Sequence, residues 1–238
     1  MPRLDVLVTK SGLAESRERA QALIIAGKVR VAGETVRRPD RSVSDDAPIS
    51  VEESPGYASR GALKLAPALT EFGVDPSGLA CADIGASTGG FTDVLLRRGA
   101  SKVYAVDVGR GLLHWRLRQD PRVVVIERVN ARELESFPET VKLIVVDVSF
   151  IGLEKVLPAL RRAAPEAEVV ALFKPQFQVG RSDVGKGGIV RDSAVIEAAL
   201  EHFRLWCAGN GYVVRAEAPS ELPGADGNRE IFIHMVPE

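Results

Sequence analysis

Four polar residues close apolar runs, the places where one edge of a sheet would collect them. Asp83 follows Leu79-Ala80-Cys81-Ala82, and Asp107 follows Val103-Tyr104-Ala105-Val106. Asp147 follows Leu143-Ile144-Val145-Val146, and Lys174 follows Val169-Val170-Ala171-Leu172-Phe173. A lysine ending a hydrophobic strand is partly desolvated, which lowers its pKa, and a second cation nearby lowers it further. Neutral amine is then available as a general base. Asp147 pulls the other way, and an ordinary ion pair between Lys174 and Asp147 is the plainer alternative. Asp107 suits a ribose diol, by the geometry that serves other nucleotide sites. Asp83 suits a hydrogen bond from the following loop or a ligand ammonium. Asn130, just after a further apolar run, suits an adenine edge; Val108 and Ala131, next to Asp107 and Asn130, belong to the same candidate wall. Each alone reads equally well as a cap or boundary residue. A shared edge would make them one cleft.

The elements that position them start at Leu79. An apolar run leads into the turn Gly85-Ala86-Ser87-Thr88-Gly89-Gly90-Phe91, and the helix-like Thr92-Asp93-Val94-Leu95-Leu96-Arg97-Arg98 follows. Strand, glycine turn and helix open a nucleotide-binding α/β unit. The Gly-x-x-x-Gly-Gly spacing is not the dinucleotide fingerprint, and the Gly-Lys-Ser/Thr of a P-loop is missing. A nucleoside ligand without a pyrophosphate fits better, and S-adenosyl-L-methionine is the obvious one; packing turns also use glycines. Strand and helix then alternate. Strands are expected at 79–84, 102–107, 122–127, 141–147, 168–173, 211–217 and 229–235, and helices at 91–98, 111–118, 152–164 and 192–209. The last two strands are too close for a helical crossover, so they pair antiparallel. The expectation is an open, doubly wound, mostly parallel sheet of seven strands, with ligand beyond the carboxyl ends.

The chain of 238 residues is long enough for one good-sized domain and a small one. Its net charge of -1 excludes a strongly basic nucleic-acid binder, so any RNA contact must come from a local patch. Two cysteines exclude a disulfide scaffold or a structural zinc site, and nothing calls for a metal. The opening residues are too charged for a signal peptide, and no apolar run reaches membrane-spanning length. A cytoplasmic protein without stable membrane association is the default.

Residues 1–54 differ in character. Arg3–Thr9 reads as a short helix, and a second is expected from a Ser16 cap to Ala26, ended by Gly27. Short strands follow around Lys28–Val31, Val36 and Ile49–Val51. Residues 1–41 carry nine basic and five acidic side chains, against the near-neutral whole. Arg17 and Arg19 open the second helix, where positive charge opposes the dipole and a phosphate would relieve it. The alternative is a solvated charged face. Residues 55–60 read as a linker around Ser54-Pro55-Gly56, leaving 61–238 as the larger domain. Beyond it, Leu63, Ala66, Leu69 and Phe72 would share a helix face, with Lys64 on the surface or turned into a cleft. The glycine-rich stretch 178–192, carrying Arg181, Lys186 and Arg191, reads as a lid over substrate phosphates or a plain surface loop.

The first module resembles the S4-like RNA-binding domain through Arg3-Leu4-Asp5, Ser16-Arg17-Glu18-Arg19-Ala20 and Ile24 to Val29. That resemblance implies RNA contact by Arg3, Arg17, Arg19, Lys28 and Arg30. The whole chain resembles the TlyA family, often labelled hemolysins, which joins an S4 domain to an FtsJ-like (RrmJ-type) methyltransferase. The marks are Ser59-Arg60-Gly61-Ala62-Leu63-Lys64-Leu65, the Asp83–Phe91 stretch and Val146-Asp147-Val148-Ser149-Phe150. Phe173-Lys174-Pro175-Gln176-Phe177, Gly185-Lys186-Gly187-Gly188 and Gly227-Asn228-Arg229-Glu230 complete them in order. The resemblance implies a Rossmann-like class I methyltransferase acting on a ribose 2'-hydroxyl, with Lys64, Asp147, Lys174 and Glu230 as catalytic tetrad. It places S-adenosylmethionine on Gly85, Ser87, Gly89, Gly90 and Phe91, with Asp107 at the ribose; Asp83, Ala86 and Thr88 join them as candidate cofactor contacts, and Asp147 borders both sites. Arg60, Arg181 and Lys186 join the candidate RNA contacts. Ribosomal RNA or ribosomal subunits are the implied partners, not DNA. A non-catalytic RNA-binding or ribosome-assembly protein and, last, a membrane-lytic hemolysin are the alternatives.

Overall fold

The structure, a computed structural model, describes residues 2–14, 16–51, 56–224 and 227–238, and of Arg19 and Arg181 the backbone alone. Ser54 and Pro55 of the expected linker therefore lie outside the described residues. Contacts divide the chain into two compact units, Met1–Gly56 and Tyr57–Glu238.

In the smaller unit, helices α1 (Leu4–Lys10) and α2 (Arg17–Ile25) accompany a sheet of β1 (Val29–Val31), β2 (Glu34–Val36) and β3 (Ile49–Val51). The strands are antiparallel in the order β2-β1-β3. Leu4, Val8, Ala20, Ile24 and Val29 are fully buried and form the core. Asp5 is equally buried, an expensive position for a carboxylate. It is satisfied by Arg3 (3.0 Å), Arg17 (3.0 Å) and Gln21 (2.8 Å).

The larger unit is built on seven strands in the order β6-β5-β4-β7-β8-β10-β9. They are β4 (Ala80–Ile84), β5 (Lys102–Asp107), β6 (Val123–Glu127), β7 (Leu143–Val146), β8 (Glu168–Phe173), β9 (Tyr212–Pro219) and β10 (Ile231–Pro237). The first five are parallel; β10 runs antiparallel to both β8 and β9. Strand residues alternate between two cores, as a pleat requires. Ala82, Ile84, Val106, Ile144 and Val146 face one layer, which includes helices α6 (Leu157–Ala163) and α7 (Ser193–Gly209). Cys81, Val103, Leu143 and Val145 face the other, with helices α3 (Ala62–Glu71) and α4 (Gly90–Arg97) and the short α5 (Trp115–Gln119). Coverage on both faces explains the nearly unbroken apolar runs.

Two local expectations are corrected. The buried face of α3 is Ala62, Leu65, Ala68 and Leu69, not the Leu63–Leu69–Phe72 set. Small alanines let α3 lie close to α4, and this turns Lys64 to the half-buried side. The helix expected at 111–118 forms only from Trp115, because the His114 side chain caps it and Leu112 and Leu113 are taken up by the loop after β5.

The chain winds outward from β4 through β5 to β6, then returns to start again at β7 on the other side of β4. The reversal lies between β4 and β7, and crevices open at such switch points beyond the carboxyl ends.

Candidate active site

Two lobes of one cleft open at this switch point. The first, about 290 Å³, is lined by Arg60, Lys64, Asp83, Gly85, Ala86, Ser87, Thr88, Gly90, Phe91 and Asp147. The second, about 480 Å³, shares Gly85, Ser87 and Asp147 and adds Asp107, Val108, Leu112, Asn130, Ala131, Val148, Ser149, Phe150 and Ile151. A larger hollow of about 540 Å³ lies along β9 by Tyr212, Glu217 and Glu238; no candidate residue lines it.

The glycine turn makes the cleft possible. Gly85 has φ +84°, and a Cβ there would lie 2.5 Å from the Asp147 carbonyl oxygen. Only glycine lets β4 end this close to β7. A Cβ on Gly90 would run into Ser59 Oγ and the Ala62 nitrogen, so this residue admits the segment that leads into α3. Ser87 takes a positive φ without being glycine (48°), and its backbone N–H donates to Asp107 Oδ2 at 2.8 Å. The other Asp107 oxygen accepts from Gly109 N–H at 2.6 Å. Asn130 Oδ1 caps the turn Ala131–Glu133 by accepting from Arg132 N–H at 3.2 Å.

Asp83 sits at the floor, fully buried. Its partner is not the glycine loop but the first turn of α4: Oδ2 accepts from Thr92 N–H (2.8 Å) and Thr92 Oγ1–H (2.6 Å). Oδ1 has no partner. Burial, only partly offset by the Thr92 hydroxyl, pushes this carboxyl up to about 7, and the charges of Asp147 and Asp107 add to the rise. The unpaired Asp83 oxygen, with Asp107 and Asp147 beside it, makes a site for a ligand cation, and the glycine cradle leaves room for a backbone-hugging ligand. A sulfonium nucleoside with an ammonium group fits this donor set. Val108 (73% exposed) and Leu112 (48% exposed) stand at the mouth as an apolar wall for a base.

Two ion pairs complete the site. Lys64 Nζ on α3 lies 2.5 Å from Glu230 Oε2, just before β10, with side chains 15% and 3% exposed. Glu230 is held from behind: Gly224 packs so closely that a Cβ would meet Glu230 Oε1 at 2.6 Å. Lys174 Nζ, after β8, lies 2.6 Å from Asp147 Oδ1 and donates to Ser149 Oγ at 3.0 Å. The plainer reading of Lys174 as the partner of Asp147 is thus also true. Lys64 and Asp147 line one lobe with the glycine turn; Glu230 joins through Lys64 and Lys174 through Asp147. Lys64 and Asp147 thus reach the cleft directly, and Glu230 and Lys174 stand against them as their ion-pair partners.

Other candidates are placed as follows. Arg60 lines the first lobe. Lys186 is exposed on a stretch of short 3-10 turns, Arg181–Asp183 and Lys186–Gly188. That stretch is tied to the Glu230 segment by buried Asn228, which accepts from Val190 N–H (3.0 Å) and donates to Gly188 O (2.8 Å). Arg3 and Arg17 are half exposed while pairing with Asp5, and Arg30 is exposed; the side chains of Arg19 and Arg181 lie outside the description. Sequence reasoning assigned no role to Ser149 or Phe150. Phe150 is 90% exposed with φ +64°, a strained conformation for an aromatic residue, and its ring lies 5.3 Å from that of Phe177. The Asp-x-Ser-Phe string was visible, yet nothing local shows that it turns back under Lys174.

A family model for FtsJ-like methyltransferases matches residues 57–236, and one for the S4 domain matches residues 2–49. A 16S/23S rRNA (cytidine-2'-O)-methyltransferase of Mycobacterium tuberculosis, TlyA, is 46% identical over 98% of this chain and 89% of its own. Hemolysin A of Brachyspira hyodysenteriae is 42% identical over 98% and 99%. A solved Streptococcus thermophilus structure, described as a hemolysin, superposes with TM-score 0.78 at 42% identity, covering 99% of this chain and 88% of that one. On this fold, this pairing of domains and these full-length similarities, the chain belongs to the TlyA family, an S4 domain followed by an FtsJ-like methyltransferase domain.

Proposed function

We propose that this protein methylates the 2'-hydroxyl of a ribose, at a cytidine of ribosomal RNA, with S-adenosylmethionine as donor. One observation carries the reading: two lysine–carboxylate pairs from four separate segments meet beside a cleft whose acidic floor and glycine rim suit a sulfonium nucleoside. The relatives named as rRNA (cytidine-2'-O)-methyltransferases supply the nucleotide and the RNA class.

The cofactor brings a sulfonium-activated methyl group and a neutral leaving group. Asp83 Oδ1 takes its ammonium, Asp107 its ribose and Asn130 its adenine edge, between Val108, Leu112, Ala131 and Ile151. Lys174, aimed by Asp147 and Ser149, takes the proton of the 2'-hydroxyl when it stands as the neutral amine, and the ammonium so formed is held by Asp147. Lys64, held by Glu230, steers the oxygen as negative charge develops on it. Most of the acceleration then comes from in-line positioning, with the base adding its share. DNA lacks the hydroxyl, so RNA is the substrate. The exposed Phe150 ring offers a face to a base turned out of its stack. Arg3, Arg17, Arg19, Lys28 and Arg30 hold RNA backbone on the S4 unit, with Arg60, Arg181 and Lys186 on the catalytic one. A cytoplasmic location follows from a ribosomal substrate. Among the described residues no helix is long and apolar enough to cross a membrane.

Lys174→Ala should lower methyl transfer to unmethylated ribosomal subunits by about 10² to 10⁴-fold, with cofactor affinity within a few-fold by calorimetry. Methylation persisting at the wild-type rate would remove Lys174 from the mechanism.

A further inference from the structure

A hollow of about 380 Å³ adjoins the second lobe, sharing Arg132, Phe150 and Ile151 with it and adding Lys155, Gln176 and Phe177. None of the chemistry above uses Lys155, Gln176 or Phe177. Arg132 and Lys155 are both exposed, and among the described residues no carboxylate pairs with Lys155. Glu154, next to it, is engaged by His202 instead (3.3 Å). Phe177 presents its ring at 49° to that of Phe150. Gln176 sits on the single turn Pro175–Phe177, directly after the base Lys174, and its Oε1 is buried with no hydrogen-bond partner among the described residues. A buried acceptor without a donor is costly, and turning the amide toward the hollow that Gln176 lines lets a ligand N–H repay it.

Two cations, an aromatic face and an unfilled amide acceptor together describe a nucleotide: phosphate, base and a base N–H. Unpaired RNA is read in this way, by stacking and by its base edges. We propose that this hollow binds the nucleotide adjacent to the one that is methylated. Its phosphate lies on Lys155 and Arg132, its base lies against Phe177, and a base N–H donates to Gln176 Oε1. The inference rests on the RNA methyltransferase reading and adds a sequence-selecting subsite to it. Because Gln176 is two residues from Lys174, a correct neighbour also helps to hold the base in register.

The test compares wild type, Lys155→Ala and Gln176→Leu on unmethylated ribosomal subunits across a salt series. The methylated position is first mapped, and its neighbours are then varied in transcribed RNA. Lys155→Ala should weaken RNA half-saturation about 5 to 10-fold and reduce the slope of log affinity against log salt by about one. Wild type should discriminate among neighbouring bases, and its failure to do so rejects a selecting role for Gln176; Gln176→Leu should abolish that discrimination. Cofactor affinity should stay within twofold in both variants. An unchanged salt slope in Lys155→Ala, together with an unchanged base preference in Gln176→Leu, would overturn the subsite. If wild type methylates no RNA, the enzymatic reading fails instead. Filter binding over the same salt series then decides the hollow on its own: an unchanged slope in Lys155→Ala rejects it.

Discussion

Replacing Asp83 by Asn probes the charge balance of the cofactor cleft. This carboxyl is fully buried, gives one oxygen to Thr92 and leaves the other without a partner among the described residues. Its pKa rises from the ordinary 3.8 to about 7, first through burial. A folded value above the unfolded one means that the folded state keeps its proton longer. Stability from this group therefore falls as pH climbs from 3.8, and the fall is complete above about 7. At 1.36 kcal/mol per pH unit the full loss is about 4 kcal/mol. Asn stays neutral and keeps an oxygen for Thr92, but it places an unpartnered NH₂ in the pocket, at about 1–3 kcal/mol. Cofactor-free Asp83→Asn should thus be more stable than wild type by about 1–3 kcal/mol at pH 8, and the advantage should vanish or reverse by pH 5. Urea titrations followed by tryptophan fluorescence measure this, since Trp115 and Trp206 both lie in the larger unit. Calorimetry should show the opposite sign for function. Losing a charge-assisted contact to the ammonium, worth about 1.5–3 kcal/mol, weakens cofactor binding about 10 to 100-fold. A variant uniformly less stable at both pH values would refute the electrostatic reasoning.

Gly85→Ala should cost about 2–5 kcal/mol, from a left-handed alanine plus overlap with the Asp147 carbonyl, and should displace the end of β7. Thermal melting and cofactor calorimetry should both register it; an unshifted melt with normal binding would contradict the close approach. In the smaller unit, Arg3, Gln21 and Arg17 hold the buried Asp5 carboxyl far below the usual range, Arg3 foremost. A depressed folded pKa gives stability that is present above the unfolded value of 3.8 and lost as pH falls below it. Asp5→Asn should remove about 1–3 kcal/mol at neutral pH, discounted because both arginines are half exposed, and should flatten the acid sensitivity of that unit. Hydrogen exchange at Leu7 and Val8 reads it, and protection equal to wild type at pH 7 would count against the network.

Strand positions were visible because parallel strands covered on both faces carry their signal locally. The runs at 79–84, 102–107 and 168–173 became β4, β5 and β8 with at most one residue of difference. The glycine turn was equally plain, since its backbone demands are met by a residue type. Helix faces were less so. A periodicity of apolar residues marked Leu63 on α3 and Phe72 just after it, whereas the packed face is Ala62, Leu65, Ala68 and Leu69. Only a partner surface tells a small residue from an unimportant one.

The types and order of the chemical groups were settled along the chain: carboxylates and a lysine at strand ends, a turn without room for side chains, and a basic first module. Which of them meet was decided in three dimensions. From its own helix Lys64 reads as a surface or a cleft lysine; Glu230, 166 residues away, lies within 2.5 Å of it and decides between them. Ser149 and Gln176 acquired meaning only from what stands, or fails to stand, beside them. Periodicity acts over a few residues and leaves its mark in sequence; the reversal of strand order between β4 and β7, which makes the cleft, is a global choice of packing with no local trace.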